Sequence, residues 1–310
     1  MSISIPERIS LGHSDLHISP LGMGTNAWGF SRRADPDKQP TLAAALEAGI
    51  NFIDTAEVYN LGGSEKTLGL LLPKYRTEVV LASKFFPYPW RLARSSLTAA
   101  LHASLKRLGI PNVDLYILHF PAPPVPLETW VEALTDVQQA GLTRAVGISN
   151  CNAQQTRRAH TVLARRGIPL ASNQVEYSLL TRTAEHNGLM ETCRELGVTL
   201  VAYRPLGYGL LTGKYTPENL PAVLHGRMIK PSDLQRVSPL IELLRELARS
   251  HAKTPSQVAL NWIVCKGAVP IPGAKNPTQA AENAGALGWR LETAEVEALD
   301  QASDHIQSTT

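Results

Sequence analysis

Along the 310-residue chain, one short apolar run after another ends in a side chain able to move a proton or donate a hydrogen bond. GINFID (49–54) ends in Asp54, EVVLASK (78–84) in Lys84 and VDLYILH (113–119) in His119. RAVGISN (144–150) ends in Ser149 and Asn150, PLASNQ (169–174) in Asn173 and Gln174, and VTLVAY (198–203) in Tyr203. Each alone would be a solvated loop group or a hydrogen-bonded core residue; their succession points to a shared cavity. Tyr59, five residues after Asp54, joins Asp54, Lys84 and His119 in an acid–base set that contains no nucleophile. Tyrosine ordinarily ionises near pH 10. A buried Lys84 ammonium beside Tyr59 is expected to pull its pKa down, with Asp54 holding the ammonium charged and oriented. His119 could then point a ring N–H at a substrate oxygen. Such a set suits proton donation to a developing alkoxide, as carbonyl reduction requires. Metal ligation fits less well, because His119 has no evident partner ligand. Ser149, in GISN, lacks the flanking glycines of a nucleophile elbow.

The elements that must position these residues follow from the pattern. The apolar runs are Val-, Ile- and Leu-rich and nearly continuous, as in strands buried on both faces of a parallel sheet. Amphipathic helical stretches lie between them. In 92–108, Leu97, Leu101, Leu105 and Leu108 recur at helical spacing. Further stretches are 39–48, 127–140 opened by Pro126, and 153–165 capped by Asn152. Gly49, Gly109, Gly141, Gly167 and Gly197 stand at the helix exits. With PLGMGT (20–25) as the first strand and GAVPIPG (267–273) as the last, eight strand–helix units predict a (β/α)8 TIM barrel, one domain over residues 1–310. The rival, a doubly wound open sheet, would carry a Gly-x-Gly-x-x-Gly after an early strand, and none is present. Residues 8–19 read as a β-hairpin plugging the barrel bottom. LGGSEKTLG after Tyr59 reads as a glycine-rich loop. Residues 204–236, rich in Gly and Pro, read as a long loop after strand 7 that overhangs the catalytic mouth.

Composition limits the class of partner. Thirty Lys plus Arg against 27 Asp plus Glu leave a net charge of +3, too balanced for a nucleic-acid or membrane-surface protein. No apolar run approaches the roughly 18 residues of a membrane span. Cys151, Cys193 and Cys265 are odd in number and far apart, which suits a reducing compartment. MSISIPERIS resembles neither a signal nor a transit peptide, so a cytoplasmic location is expected. Oligomeric state is left open.

Several motifs in combination resemble the aldo-keto reductases over essentially the whole chain, the plastid and cyanobacterial-type members in particular. They are G-x-N-F-I-D-T-A-x-x-Y at 49–59, L-A-S-K at 81–84, D-L-Y-I-L-H at 114–119, V-G-I-S-N at 146–150, N-Q-V-E-Y at 173–177, A-Y-x-P-L-G at 202–207 and I-P-G-A-K at 271–275. The resemblance implies reduction of an aldehyde or ketone by hydride from NADPH, with Asp54, Tyr59, Lys84 and His119 as the catalytic tetrad. It also implies that Trp28, Tyr59 and His119 face the small-molecule carbonyl substrate. Ser149, Asn150 and Gln174 would hold the cofactor's carboxamide, and Tyr203 would stack on its nicotinamide. Gly24, Thr25 and Asn26 after the first strand would adjoin the cofactor beside Asp54.

The pyrophosphate is expected against Arg204, Pro205, Leu206, Gly207, Gly209, Leu211, Gly213 and Lys214. The adenosine end is expected against Gly273, Ala274, Lys275, Gln279, Glu282 and Asn283. Three positions depart from the common pattern. Arg204 stands where Ser is usual, and Gly273-Ala274 with Gln279 replace a Lys-Ser pair and a later Arg. Asn26 takes the place of one of two tryptophans, leaving Trp28. Lys275 is therefore the cation expected to read the adenosine phosphate and to favour NADPH over NADH. The alternative function is a nucleotide-binding regulatory or redox-sensing subunit with slow turnover. A third is a barrel lyase or isomerase that uses Lys84 as a Schiff base.

Overall fold

The computed structural model describes residues 7–30, 32–220, 223–224, 227–228 and 230–308. A hairpin of β1 (Ile9–Ser10) and β2 (His17–Ile18) comes first. Eight parallel strands then build one sheet in the order β3 (Met23–Gly24), β4 (Phe52–Asp54), β5 (Val80–Phe85), β6 (Val113–Leu118), β7 (Thr143–Ser149), β8 (Leu170–Glu176), β9 (Thr199–Tyr203) and a last strand, Val269–Pro270. A parallel bridge between Gly24 and Gly273 closes the sheet on itself, with Gly22 N donating to Pro270 O at 2.9 Å and Gly24 N to Pro272 O at 3.0 Å. The fold is a TIM barrel.

Two apolar cores result from the strands' two-residue side-chain period. Inside the barrel, Phe52, Ala82, Leu115, Ile117, Ala145, Ala171 and Val201 meet Leu11, Leu16 and Ile18 of the hairpin. Those three hairpin residues are essentially fully buried, so β1–β2 is the expected plug. The larger core lies between the sheet and the outer helices and includes Trp130, Leu101 and Leu134.

The first helices are α1 (Gln39–Glu47), α2 (Gly63–Tyr75), α3 (Ser95–Leu108), α4 (Leu127–Gln139) and α5 (Ala153–Ala164). The glycines expected at helix exits all take positive φ, as Gly109 does (67°) where α3 stops. α3 starts at Ser95 rather than 92, because residues 91–93 still belong to the loop after β5. Most of LGGSEKTLG is not a loop: from Gly63 onward it is the start of α2. Gly69 is there for close packing, since a Cβ at that position would lie 2.4 Å from the carbonyl oxygen of Arg107 in α3. The long stretch after strand 7 is shorter than the sequence suggests. It contains a 3-10 turn (Gly207–Thr212), a second (Pro217–Asn219) and a small hairpin, β10 (Val223–Leu224) with β11 (Arg227–Met228). Helix then begins at Pro231. Among the described residues no helix is long and apolar enough to cross a membrane.

Candidate active site

Strand period decides which polar residues meet. Asp54, Lys84 and Gln174 point into the mouth at the C-terminal ends of β4, β5 and β8. Their neighbours Ser83 and Asn173 point outward: Ser83 Oγ donates to Glu65 at 2.6 Å, and Asn173 Nδ2 donates to Cys151 O and Thr156 Oγ1, both at 2.9 Å. Asn173, grouped by sequence with the strand-end set, is thus a support for α5.

Lys84 is the hub. Its side chain is fully buried, and Nζ donates to Asp54 Oδ1 (2.5 Å), Thr55 O (2.8 Å) and Tyr59 Oη (3.1 Å). Gln174 Nε2 donates to the other oxygen, Asp54 Oδ2, at 2.9 Å. Burial alone would discharge Lys84, but Asp54 and the Tyr59 oxygen outweigh it and hold its pKa above the usual value. At Tyr59 the balance runs the other way. Burial raises the phenol's pKa, the Lys84 charge lowers it, Asp54 raises it, and the net direction is up. The expectation that Lys84 depresses this pKa is therefore corrected. Lys84 moderates a rise caused by burial, and Tyr59 holds its proton.

His119 sits edge-on to Tyr59, ring centroids 6.1 Å apart and planes at 82°. Burial first, and the Lys84 charge second, push its pKa down to about 3, so the imidazole is neutral. Its buried Nδ1 has no hydrogen-bond partner. A tautomer with hydrogen on Nε2 leaves no buried N–H unbonded and makes Nε2 the donor.

A second polar group borders these four. Ser149 Oγ donates to Gln174 O (2.7 Å), while Asn150 Nδ2 donates to His119 O and Ser149 Oγ, both at 3.0 Å. Tyr203 Oη donates to Asn150 Oδ1 at 2.9 Å. Asn150 follows β7 directly and holds φ at 58°, a left-handed position that asparagine tolerates. Arg204 after β9 is also left-handed (φ 52°). Its guanidinium lies over the rings of Tyr208 (4.4 Å) and Tyr203 (5.6 Å) and pairs with Glu176 at 3.0 Å. The unusual Arg204 thus braces the tyrosines beside the mouth.

Other expected contacts fall in varied settings. Trp28 is fully buried and its indole N–H donates to Ala274 O at 2.7 Å, so it is a core residue that ties the first loop to the last, not a substrate wall. Thr25 is fully buried as well, its hydroxyl committed to Asp54 O and Ser64. Asn26 offers its carbonyl to Asn60 Nδ2, which fixes the turn that carries Tyr59. Pro205, Gly207 and Leu211 are buried in the turn after β9, with Leu206, Gly209 and Gly213 half-exposed and Lys214 exposed. Lys275 is exposed at the barrel rim, its N–H donating to Gln279 and its carbonyl accepting from Lys38 Nζ at 3.0 Å. Lys38 is a second cation at that end which sequence analysis missed. Gly273 O accepts from Asn283 Nδ2 (3.3 Å), and Glu282 accepts from Thr254 (3.3 Å).

Sequence analysis also missed Glu57, which joins the loops after β4 and β5. Its Oε1 accepts from Phe86 N at 2.7 Å and from Arg91, which also reaches Oε2 at 3.0 Å. The signal was its place in DTAEVY, between two tetrad residues.

The aldo/keto reductase family model matches residues 20–304. The chain belongs to the aldo/keto reductase family. This aldo/keto reductase, an oxidoreductase, is 39% identical over 317 residues to the chloroplastic pyridoxal reductase of Arabidopsis thaliana, spanning 96% of this chain and 86% of that protein. It is 32% identical to aldo-keto reductase yakc [NADP(+)] of Schizosaccharomyces pombe, over 98% of this chain and 93% of that one. In structure it resembles a thermostable aldo-keto reductase, Tm1743, determined with the inhibitor epalrestat: TM-score 0.78, 30% identity, 95% of this chain and 99% of the other.

Proposed function

We propose that this aldo/keto reductase reduces aldehyde or ketone carbonyls to alcohols, with NADPH as hydride donor and Tyr59 as proton donor. The observation that carries the proposal is Lys84 Nζ bonded at once to Asp54 (2.5 Å) and Tyr59 (3.1 Å), in a fully buried position. That arrangement keeps a phenol protonated yet beside a fixed positive charge, so its proton can leave when an alkoxide develops. Neutral His119, through Nε2, would orient and polarise the carbonyl oxygen. Asp54 and Gln174 keep the Lys84 charge in place.

The residues present suit the cofactor. Ser149, Asn150 and Gln174 form an uncharged amide and hydroxyl rim next to the tetrad, matched to a carboxamide, with the Tyr203 ring tied to that rim. When bound there, NADPH supplies the hydride. The glycine-bearing turn from Gly207 to Gly213 offers main-chain groups and Lys214 for a pyrophosphate. Lys275 supplies the positive charge that an adenosine phosphate needs, with Lys38, itself paired to Asp35 at 3.3 Å, beside it. The relative named for NADP(+) supports this cofactor.

The test is NADPH absorbance with a panel of aldehydes and ketones, pyridoxal included because one relative is named for its reduction. Carbonyl-dependent consumption is expected. Tyr59→Phe should lower kcat at least about a hundredfold, with NADPH affinity nearly unchanged. A variant keeping more than about a tenth of the rate would show that Tyr59 is not the donor. Tight NADPH binding without turnover would favour a nucleotide sensor instead.

A further inference from the structure

A line of aromatic rings leads outward from the proposed reacting centre. The His119 ring lies 5.6 Å from Phe86 and 5.5 Å from Phe120, and Phe86 lies 6.0 Å from Phe120. Phe86 packs on Tyr88 at 4.8 Å, and Tyr88 stacks on Trp90 at 4.6 Å with planes only 7° apart. The outer rings are open to solvent: Trp90 is 73% exposed and Phe120 40%. Exposed aromatic rings that adjoin one another and reach a reacting centre suit a binding surface.

The loop that carries the line is built to stay in one shape. Its sequence, Phe86-Pro87-Tyr88-Pro89-Trp90, alternates aromatics with prolines, which fix φ and drive the preceding residue toward extended backbone. Tyr88 N bonds to Phe86 O (2.9 Å) and Arg91 N to Tyr88 O (2.8 Å). Arg91 then fastens the loop to its neighbour. Its guanidinium clasps Glu57, donates to Phe86 O at 2.7 Å, and lies 5.1 Å over the Tyr88 ring. Glu57 in turn belongs to the segment that carries Asp54 and Tyr59. The aromatic face is therefore ordered before any ligand arrives, which lowers the entropy cost of binding.

From this continuity we propose, resting on the reductase reading, that the enzyme selects flat, extended aryl carbonyls of two fused rings or more. Phe86, Phe120, Tyr88 and Trp90 form the specificity surface, and Glu57 and Arg91 act as positioning residues. The carbonyl would lie at His119 and Tyr59 while the ring system lies along Phe86 and Tyr88 toward Trp90. A short aliphatic aldehyde would touch only the inner end.

The experiment compares kcat/KM for 2-naphthaldehyde and butanal in the wild type, in Tyr88→Ala/Trp90→Ala and in Arg91→Lys. The control is Leu70→Ala, a 59% exposed residue of α2. Naphthaldehyde should be favoured in the wild type, and the ratio should fall about tenfold in the double variant, chiefly through KM, as expected for loss of aromatic contacts. Arg91→Lys should raise KM for naphthaldehyde while keeping its kcat, and Leu70→Ala should leave the ratio unchanged. Equal losses for both substrates, or no change in the ratio, would overturn the proposal. Binding of 2-naphthol, followed by fluorescence quenching that is lost in Trp90→Phe, separates this claim from the reductase reading: quenching without turnover sinks the reading but keeps the surface. Turnover without preference or quenching sinks the surface alone. A dimer that falls apart on loss of Trp90 would assign the rings to a second copy and also overturn the proposal.

Discussion

Charge at the candidate site is set by burial and then corrected by neighbours, and Lys84, Tyr59 and His119 come out differently. Lys84 stays charged because two oxygens outweigh its desolvation, whereas His119 is driven down to about 3 by burial first and the nearby Lys84 ammonium second. A histidine whose folded pKa lies below its unfolded value near 6.5 makes folding less favourable as pH falls through that interval, because the unfolded chain takes up the proton. Above it, the imidazole is neutral and does not titrate. Reduction should therefore show no inflection near pH 6.5, and should fail at high pH only above 10, where Tyr59, its pKa raised, loses its proton. A pH profile of kcat between 5 and 11 checks both. A step near 6.5 that disappears in His119→Asn would show that the imidazole charges during turnover. Lys84 and His119 were legible in the sequence because each ends an apolar run, and Tyr59 because it follows Asp54 by five residues. The direction of the Tyr59 shift was not, since it depends on how completely the phenol is desolvated.

Elements were legible where their signals are local. Asn152 illustrates this: its side chain accepts from Gln155 N, and Gln155 returns a bond to Asn152 N, both at 2.9 Å, closing a capping box at the start of α5. α2 shows the opposite case. Gly63, Gly69 and Pro73 lower its apparent helicity, and the reason for Gly69 is contact with α3, which no local pattern displays. Trp28, which the family resemblance placed against the substrate, is instead fully buried and bonds Ala274, 246 residues away, another contact that no local pattern displays. The cap also has a functional consequence. The segment that it anchors carries Ser149 and Asn150 at the site, and Thr156, one turn in, braces Asn173. Asn152→Ala should cost about 1 kcal/mol of stability, seen as a lower urea midpoint. It should also raise KM for NADPH by more than it lowers kcat, if the cap holds Asn150 in its left-handed position. An unchanged midpoint would mean that the box is frayed in solution.

At the scale of the whole molecule, the barrel is bound together by a partly buried charge cluster that sequence separation hides. Glu185, in a short helix (Thr183–His186), accepts from Tyr177 Oη (2.7 Å), Arg182 (2.8 and 2.9 Å) and Lys266 (2.9 Å). Arg182 continues to Asp300 O and Asp304 Oδ1, both at 2.8 Å, and Trp262 Nε1 and Lys266 Nζ close on the Asp300 carboxylate at 2.9 and 2.8 Å. The cluster joins the loop after β8 to the helix Pro255–Cys265 and to the C-terminal helix Thr293–Ser308. Burial by itself would raise the Glu185 pKa. Hydrogen bonds from Arg182, Tyr177 and Lys266 overcome this and bring it down to about 2. A carboxylate whose folded pKa is depressed stabilises the fold above its unfolded pKa near 4.5 and loses that contribution as pH falls toward 2. Allowing for partial solvent screening, the contribution at pH 7 is about 2 kcal/mol. Glu185→Gln should therefore be less stable than the wild type by about that amount at pH 7 in urea unfolding, and the two curves should converge as pH drops from 4.5 to 2.5. A gap that stays constant across this range would show that Glu185 does not titrate there, and that Gln simply packs less well among Tyr177, Arg182 and Lys266.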